Sequence, residues 1–173
     1  MPREPAALTR LARLRADLIP DRDALEARAK ETRALLEMSR SGDAMPRAEL
    51  VLLAVNLHGY YTALETALER IGRLFDEDVP LGPSWHQELL EQMRVAVPGL
   101  RPPVLAGDLL PDLHELRRFR HFFRNAYVLD LDPAKVTDHA ERLDALHPRI
   151  TECLDEFGRH LDAVLTELAG TDG

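Results

Sequence analysis

The stretch "HELRRFRHFFRNAY", residues 114–127, concentrates groups that can hold a phosphate or move a proton. It places four arginines and two histidines in fourteen positions and ends on Asn125, Ala126 and Tyr127. Arginine forks suit phosphate oxygens, histidine exchanges a proton near neutral pH, and tyrosine stacks on a base or hydrogen-bonds a phosphate. Together these groups suit a ligand that carries phosphates and stacking bases.

Helical spacing predicts how these groups are arranged. Arg120, Arg124 and Tyr127 are separated by four and three residues, so they lie along one stripe of a helix. His121 and Asn125 form a second column beside that stripe. Two further arginines lie one turn upstream, Arg117 and Arg118. The apolar residues of the same helix are expected to face the core: Phe119, Phe122, Phe123 and Ala126.

A simpler interpretation of this helix is an ion-paired surface. The chain carries 30 acidic residues, so four arginines on one helix are more often matched with Asp and Glu than with a ligand. On composition alone this interpretation is favoured. The net charge of −8 also argues against nonspecific nucleic-acid binding by the whole surface, although it permits a local basic patch.

The whole chain has the composition of a single helical domain over residues 1–173. Its 45% hydrophobic and 30% charged residues are typical of a globular protein. The longest apolar run, Leu50–Val55, is far shorter than the ~20 residues of a membrane span. A single cysteine, Cys153, and an N-terminus interrupted by arginines indicate a cytoplasmic protein. No metal-ligand spacing or phosphate-binding glycine loop is present, so we expect neither metal nor cofactor.

The periodicity predicts an all-α bundle of about five to six helices. Pro20 is expected to kink or split the first helical segment, and His147-Pro148 to divide the last. Asp43, Ser84 and Asp132 are candidate N-caps, the last followed by Pro133 in the first helical position. The predicted segments are an N-terminal helical segment at 1–40, central helices at 45–96 with the third over 85–97, a motif helix at 109–129 and C-terminal helices at 132–169.

Aromatic residues and histidines on the central helices have two interpretations. Trp85 and His86 at the start of the third helix can contribute to an RNA-facing cleft by stacking, and His58, Tyr60 and Tyr61 can reach the same cleft. Core packing is the favoured interpretation for all five.

Two stretches resemble one family. "RFRHFFRNAYVLDLDP" (118–133) and "LHGYYTALETALERIGRLFDEDVPLGPSWHQELLEQM" (57–93) resemble HepT-like toxins of the HEPN superfamily. The family motif is an arginine, four residues, a histidine, one residue and a tyrosine. The resemblance implies a homodimeric HEPN-type bundle with a metal-independent RNA-cleaving site shared between two copies. It also implies a small nucleotidyltransferase (MNT-type) antitoxin that transfers AMP to the motif tyrosine.

The motif carries over with one departure. Arg120 matches the motif arginine and Tyr127 the modifiable tyrosine, but Asn125 occupies the histidine position. A carboxamide can position a hydroxyl or stabilise an oxyanion, yet it cannot transfer protons. Three explanations stay open: a degenerate protein that binds without cutting, proton transfer by His121, or an inactivating substitution at Asn125.

The sequence therefore predicts an endoribonuclease toxin or, alternatively, a catalytically degenerate RNA-binding or regulatory subunit of a nucleotidyltransferase. For the enzyme, the predicted catalytic residues are Arg120, Asn125 and His121. Arg117 and Arg124 are the predicted phosphate contacts.

Overall fold

Five α-helices form the part of the chain that the structure, a computed structural model, describes: residues 3–39, 45–76, 80–125 and 131–170. Within these ranges there is no strand, and the predicted all-α class is confirmed. A 3-10 turn, Gly107–Leu109, precedes the fourth helix. The helices are α1 (Arg3–Ser39), α2 (Arg47–Phe75), α3 (Trp85–Met93), α4 (Leu110–Asn125) and α5 (Pro133–Gly170).

The centre of the bundle is α2, which packs against the four other helices. Its apolar residues recur at spacings of three and four and cover more than one face, so the helix is buried against neighbours on several sides. The long helices α1 and α5 pack against each other and against α2. α4 packs on α2 and α5, and α3 bridges α2 and α4. This arrangement brings three helices, α2, α3 and α4, to one locality.

Neither internal proline ends its helix. α1 continues through Pro20, so that proline does not split the first segment, and α5 continues through Pro148, so the predicted division of the last segment is wrong. The five described helices agree with the predicted five to six. Both prolines are exposed, so the carbonyl that loses its partner can be solvated. Burial of the residues around them, such as Leu18 and Ile150, outweighs one missing hydrogen bond.

The ends of the helices test the predicted caps. The Asp132 cap is confirmed, because Oδ1 accepts the Ala134 N–H at 3.0 Å and Pro133 begins α5. Ser84 precedes α3, but its hydroxyl bonds the Glu88 carboxylate, so it makes no side-chain cap to the backbone. α3 also ends at Met93, short of the predicted Val97. Asp43 lies outside the described residues.

A buried arginine fixes the connection from α3 to α4. The Arg101 side chain, fully buried, donates to both carboxylate oxygens of Asp76 at 2.8 and 2.7 Å. It also donates to the carbonyls of Gln92, Val95 and Pro102. This ties the loop to the C-terminal end of α2, and thereby holds α3 in place. None of the described helices is both long enough and apolar enough to span a membrane.

Candidate functional site

The rotation of α4 decides which of its residues face the bundle. Leu113, Leu116 and Arg120 follow a spacing of three and four, so the arginine shares the inward face with the two buried leucines. Phe119 is buried and Phe123 is partly buried, as predicted. Phe122 is 49% exposed, and its predicted core position is wrong. It follows Leu113 by about two and a half turns, which places it on the opposite side of the helix.

The Arg120 guanidinium meets a buried carboxylate of α2. Its Nη2 lies 3.2 Å from Glu65 Oε2, and Nε lies 3.4 Å from Thr62 Oγ1. The Arg120 side chain is 12% exposed and that of Glu65 4%. A charge this well shielded from water requires a partner, so the pair stabilises each member at this position. Arg120 therefore has a carboxylate partner, as the simpler interpretation of the helix expects.

A histidine of α3 completes the cluster. His86 Nδ1 is hydrogen-bonded to Glu65 Oε1, and His86 Nε2 lies 3.4 Å from Arg120 Nη1. The imidazole packs against the indole of Trp85, with ring centroids 3.7 Å apart. Carboxylate, imidazole and guanidinium thus form a triangle contributed by three helices. The favoured interpretation of His86 as ordinary core packing is incomplete.

The electrostatics of the triangle follow from burial. Desolvation raises the pKa of Glu65 to about 7, although Arg120 acts in the opposite direction. Desolvation, together with the positive charge of Arg120, lowers the pKa of His86 to about 4. Arg117, Arg124 and His121 act on the His86 pKa in the same direction, so they lie near enough to contribute to the field of the site. At neutral pH the imidazole is uncharged.

A second imidazole of α2 lies beside the arginine face. His58 packs on Phe123, with ring centroids 5.5 Å apart, and burial together with Arg120, Arg124 and Arg28 lowers its pKa. The Arg28 guanidinium of α1 lies over Gly59, where a Cβ would come within 2.4 Å of Cζ. The absence of a side chain at Gly59 therefore leaves room for the Arg28 guanidinium. Arg28 Nη1 donates to Asn56 Oδ1 at 3.1 Å.

The two adjacent tyrosines of α2 are core residues. Tyr60 and Tyr61 are both fully buried, as the favoured interpretation holds. The Tyr60 hydroxyl is 3.0 Å from His147 Nδ1. The Tyr61 hydroxyl has no hydrogen-bond partner among the described residues, and burial and the nearby Glu65 raise its pKa.

The structure brings together some of the predicted site residues and leaves others apart. Arg120 is in the triangle, Arg117 is partly buried, and Arg124 and His121 are exposed on α4. Arg118 forms an ion pair with Glu115 on its own helix. Asn125 is the last residue of α4, and its side chain is outside what the structure describes; Tyr127 lies outside the described residues.

Sequence reasoning missed Glu65 and Arg28. Glu65 was detectable as an acid on the apolar face of α2, between Leu64 and Leu68, and Gly59 in mid-helix indicated a close approach. Within the described ranges no group of three or more His, Cys, Asp and Glu residues has the arrangement of a metal site.

The protein is an all-α bundle in which the arginine-bearing helix α4 lies close to the carboxylate of Glu65 and the imidazoles of His86 and His58. The family model described as HepT-like protein matches residues 52–161, which include α3, α4 and most of α2 and α5. The chain therefore belongs to the HepT-like family of the HEPN superfamily, and the resemblance found in the sequence is confirmed. Comparison with curated proteins and with solved structures yields no match.

Proposed function

We propose that the protein is a metal-independent endoribonuclease, the toxin of a toxin–antitoxin pair in the cytoplasm. The observation that carries the proposal is the meeting of Arg120 with the His86 imidazole in a chain of the HepT-like family. A phosphate-binding cation and a proton-accepting group are the two components that RNA cleavage needs when no metal takes part.

The arginines of α4 suit an RNA backbone. Arg124 is exposed and Arg117 partly so, one turn on either side of Arg120. A guanidinium has five N–H donors, and among the described residues Arg120 engages three of them. Its ion pair with Glu65 therefore orients the fork and leaves donors for a phosphate. Arg28 extends the positive charge towards α1.

The cleavage reaction we assign is attack of a ribose 2′-hydroxyl on the adjacent phosphorus. The arginines hold the phosphate and stabilise the charge that develops on its oxygens. Asn125 cannot accept the hydroxyl proton, and we assign it a positioning role. Two copies of the chain share the site, as the family resemblance implies.

A salt-dependent binding measurement tests the phosphate contact. Arg124→Ala, at an exposed position, should weaken RNA binding and reduce the salt slope by about one ion. Arg118→Ala is the matched control, because Arg118 is exposed on the same helix and ion-paired with Glu115. Equal affinities and slopes for the two variants would rule out Arg124 as a phosphate contact.

Modification by a small nucleotidyltransferase is the second part of the proposal. Of the three tyrosines, Tyr60 and Tyr61 are fully buried, which leaves Tyr127 as the target for AMP transfer in the folded protein. Incubation with ATP and the nucleotidyltransferase encoded beside the gene should add AMP to Tyr127, detected by mass spectrometry. A Tyr127→Phe protein modified to the same extent would contradict this assignment.

The motif asparagine favours a second function. Asn125 in place of histidine fits a degenerate protein that binds RNA, or serves as a regulatory subunit of the nucleotidyltransferase, without turnover. Salt-dependent RNA binding with no cleavage in EDTA would select this function over the nuclease.

A further inference from the structure

We propose that Glu65 and His86 form a carboxylate–imidazole dyad that takes the 2′-hydroxyl proton, replacing the histidine that the motif lacks at Asn125. The inference rests on the proposed ribonuclease function and names the residues that perform its proton transfer. Neither residue belongs to the motif helix.

Hydrogen bonding at both ring nitrogens defines the tautomer. Nδ1 faces the Glu65 carboxylate, which accepts a hydrogen bond, so Nδ1 carries the proton. Nε2 faces Nη1 of Arg120, a donor, so Nε2 presents a lone pair. A carboxylate that holds an imidazole in this way fixes its orientation and stabilises the imidazolium that forms when a proton is taken up.

The base and the phosphate-binding cation are adjacent. Nε2 lies 3.4 Å from the Arg120 guanidinium, so a phosphate held by Arg120 brings its ribose close to the lone pair. The His86 side chain retains 18% of its exposure, against 4% for Glu65, so the imidazole is the member of the dyad open to a ligand.

The local charges keep His86 in its basic form. Burial and the nearby arginines lower the pKa of the imidazole to about 4, which leaves it neutral at pH 7. Bound RNA phosphate offsets the charge of Arg120, and this raises the proton affinity of His86 during the reaction. The arginines thus disfavour protonation in the free protein and permit it in the complex.

The proton transfer balances without a metal. The 2′-O–H bond breaks as the 2′-oxygen bonds to phosphorus, and Nε2 of His86 takes the proton. The bond from phosphorus to the 5′-oxygen breaks, and that oxygen takes a proton from water. The hydroxide so formed recovers the proton from the imidazolium. The products are a 2′,3′-cyclic phosphate and a 5′-hydroxyl.

Glu65 is a positioning residue, and its ionisation gives the reaction a pH dependence. Below about pH 7 the carboxylate takes a proton and no longer accepts from Nδ1. We expect the cleavage rate to rise between pH 6 and pH 8 for this reason. The titratable or charged groups that act on Glu65 come from three helices: Tyr61 and Glu69 of α2, His86 of α3, and Arg117, Arg120 and Arg124 of α4.

Single-turnover cleavage in EDTA, with RNA affinity measured alongside, tests the dyad. His86→Ala should lower the rate by about two orders of magnitude or more while RNA affinity changes less than about threefold. Added imidazole should restore part of that rate. Glu65→Gln should flatten the rise between pH 6 and pH 8, whereas Arg118→Ala should keep the wild-type rate and profile.

The outcomes separate the dyad from the proposed function. If the wild type cleaves and His86→Ala, folded by circular dichroism, cleaves equally well, the dyad is wrong and the ribonuclease stands. Loss of cleavage in His121→Ala with an unchanged rate in His86→Ala would assign proton transfer to His121 and overturn the dyad. If the wild type binds RNA and cleaves none, the proposed function fails and the dyad fails with it.

Discussion

Arg120 occupies an inward position of α4 at which a cation persists only because Glu65 meets it there. The same contact orients the guanidinium towards His86. One residue therefore joins the stability of the bundle to the chemistry proposed for it. Sequence spacing predicted that Arg120 and Arg124 share a stripe of α4. Glu65 was detectable only as an acid among the apolar residues of α2, and the sequence did not pair it with Arg120, because an ion pair between two helices leaves no trace in the periodicity of either.

Replacement of Asn125 by histidine distinguishes two explanations for the asparagine in the motif. If the dyad supplies the base, Asn125→His should change the cleavage rate less than about tenfold, because the restored imidazole duplicates an existing function. If Asn125 is an inactivating substitution, the same change should raise the rate by about two orders of magnitude or more. Rates in EDTA under single-turnover conditions decide between these results.

The packing of α3 depends on one buried arginine. Arg101→Ala leaves the Asp76 carboxylate in a site with little solvent and removes bonds to three carbonyls. We expect a loss of about 3–5 kcal/mol in the free energy of unfolding. Chemical denaturation measures it, with Arg94→Ala, which breaks an exposed pair with Glu91, as a control costing less than about 1 kcal/mol. Equal costs would contradict the structural role of Arg101.

The contact between α4 and α5 should make the stability of the protein depend on pH. His139 of α5 packs on Phe119 of α4, with ring centroids 4.9 Å apart, and burial lowers its pKa below the ordinary 6.5. Because the pKa of His139 is lower in the folded state than in the unfolded state, protonation of this imidazole favours unfolding. The protein should therefore lose stability as the pH falls below about 6.5. His139→Gln should therefore lose less stability than wild type between pH 7 and pH 5. Thermal melts measure this, and parallel curves would contradict it.

Residue spacing in the sequence predicted where the helices lie more accurately than where they are broken. The stripes on α2 and α4 and the Asp132 cap follow from residue spacing and capping chemistry alone. Pro20 and Pro148 carry the usual signal of a break, yet each lies on an exposed face of a helix that packs along its length. Whether packing outweighs a lost hydrogen bond depends on tertiary contacts, which a local rule does not include.

The assembly of the molecule decides whether two arginine helices can face one RNA strand. Leu52 and Val55 are exposed apolar residues on α2, one turn apart. We expect a homodimer that covers them, so sedimentation should give the mass of two chains and Val55→Asp should reduce it to one. A wild-type protein that sediments as a single chain would contradict the shared site.

We propose that this HepT-like protein cuts RNA by 2′-hydroxyl attack without a metal. The most direct measurement is the chemistry of the fragment ends after incubation of cellular RNA with the purified protein in EDTA, read by mass spectrometry. We expect 2′,3′-cyclic phosphate and 5′-hydroxyl ends. Intact RNA, or fragments with 5′-phosphate ends that appear only when Mg²⁺ is added, would contradict the claim.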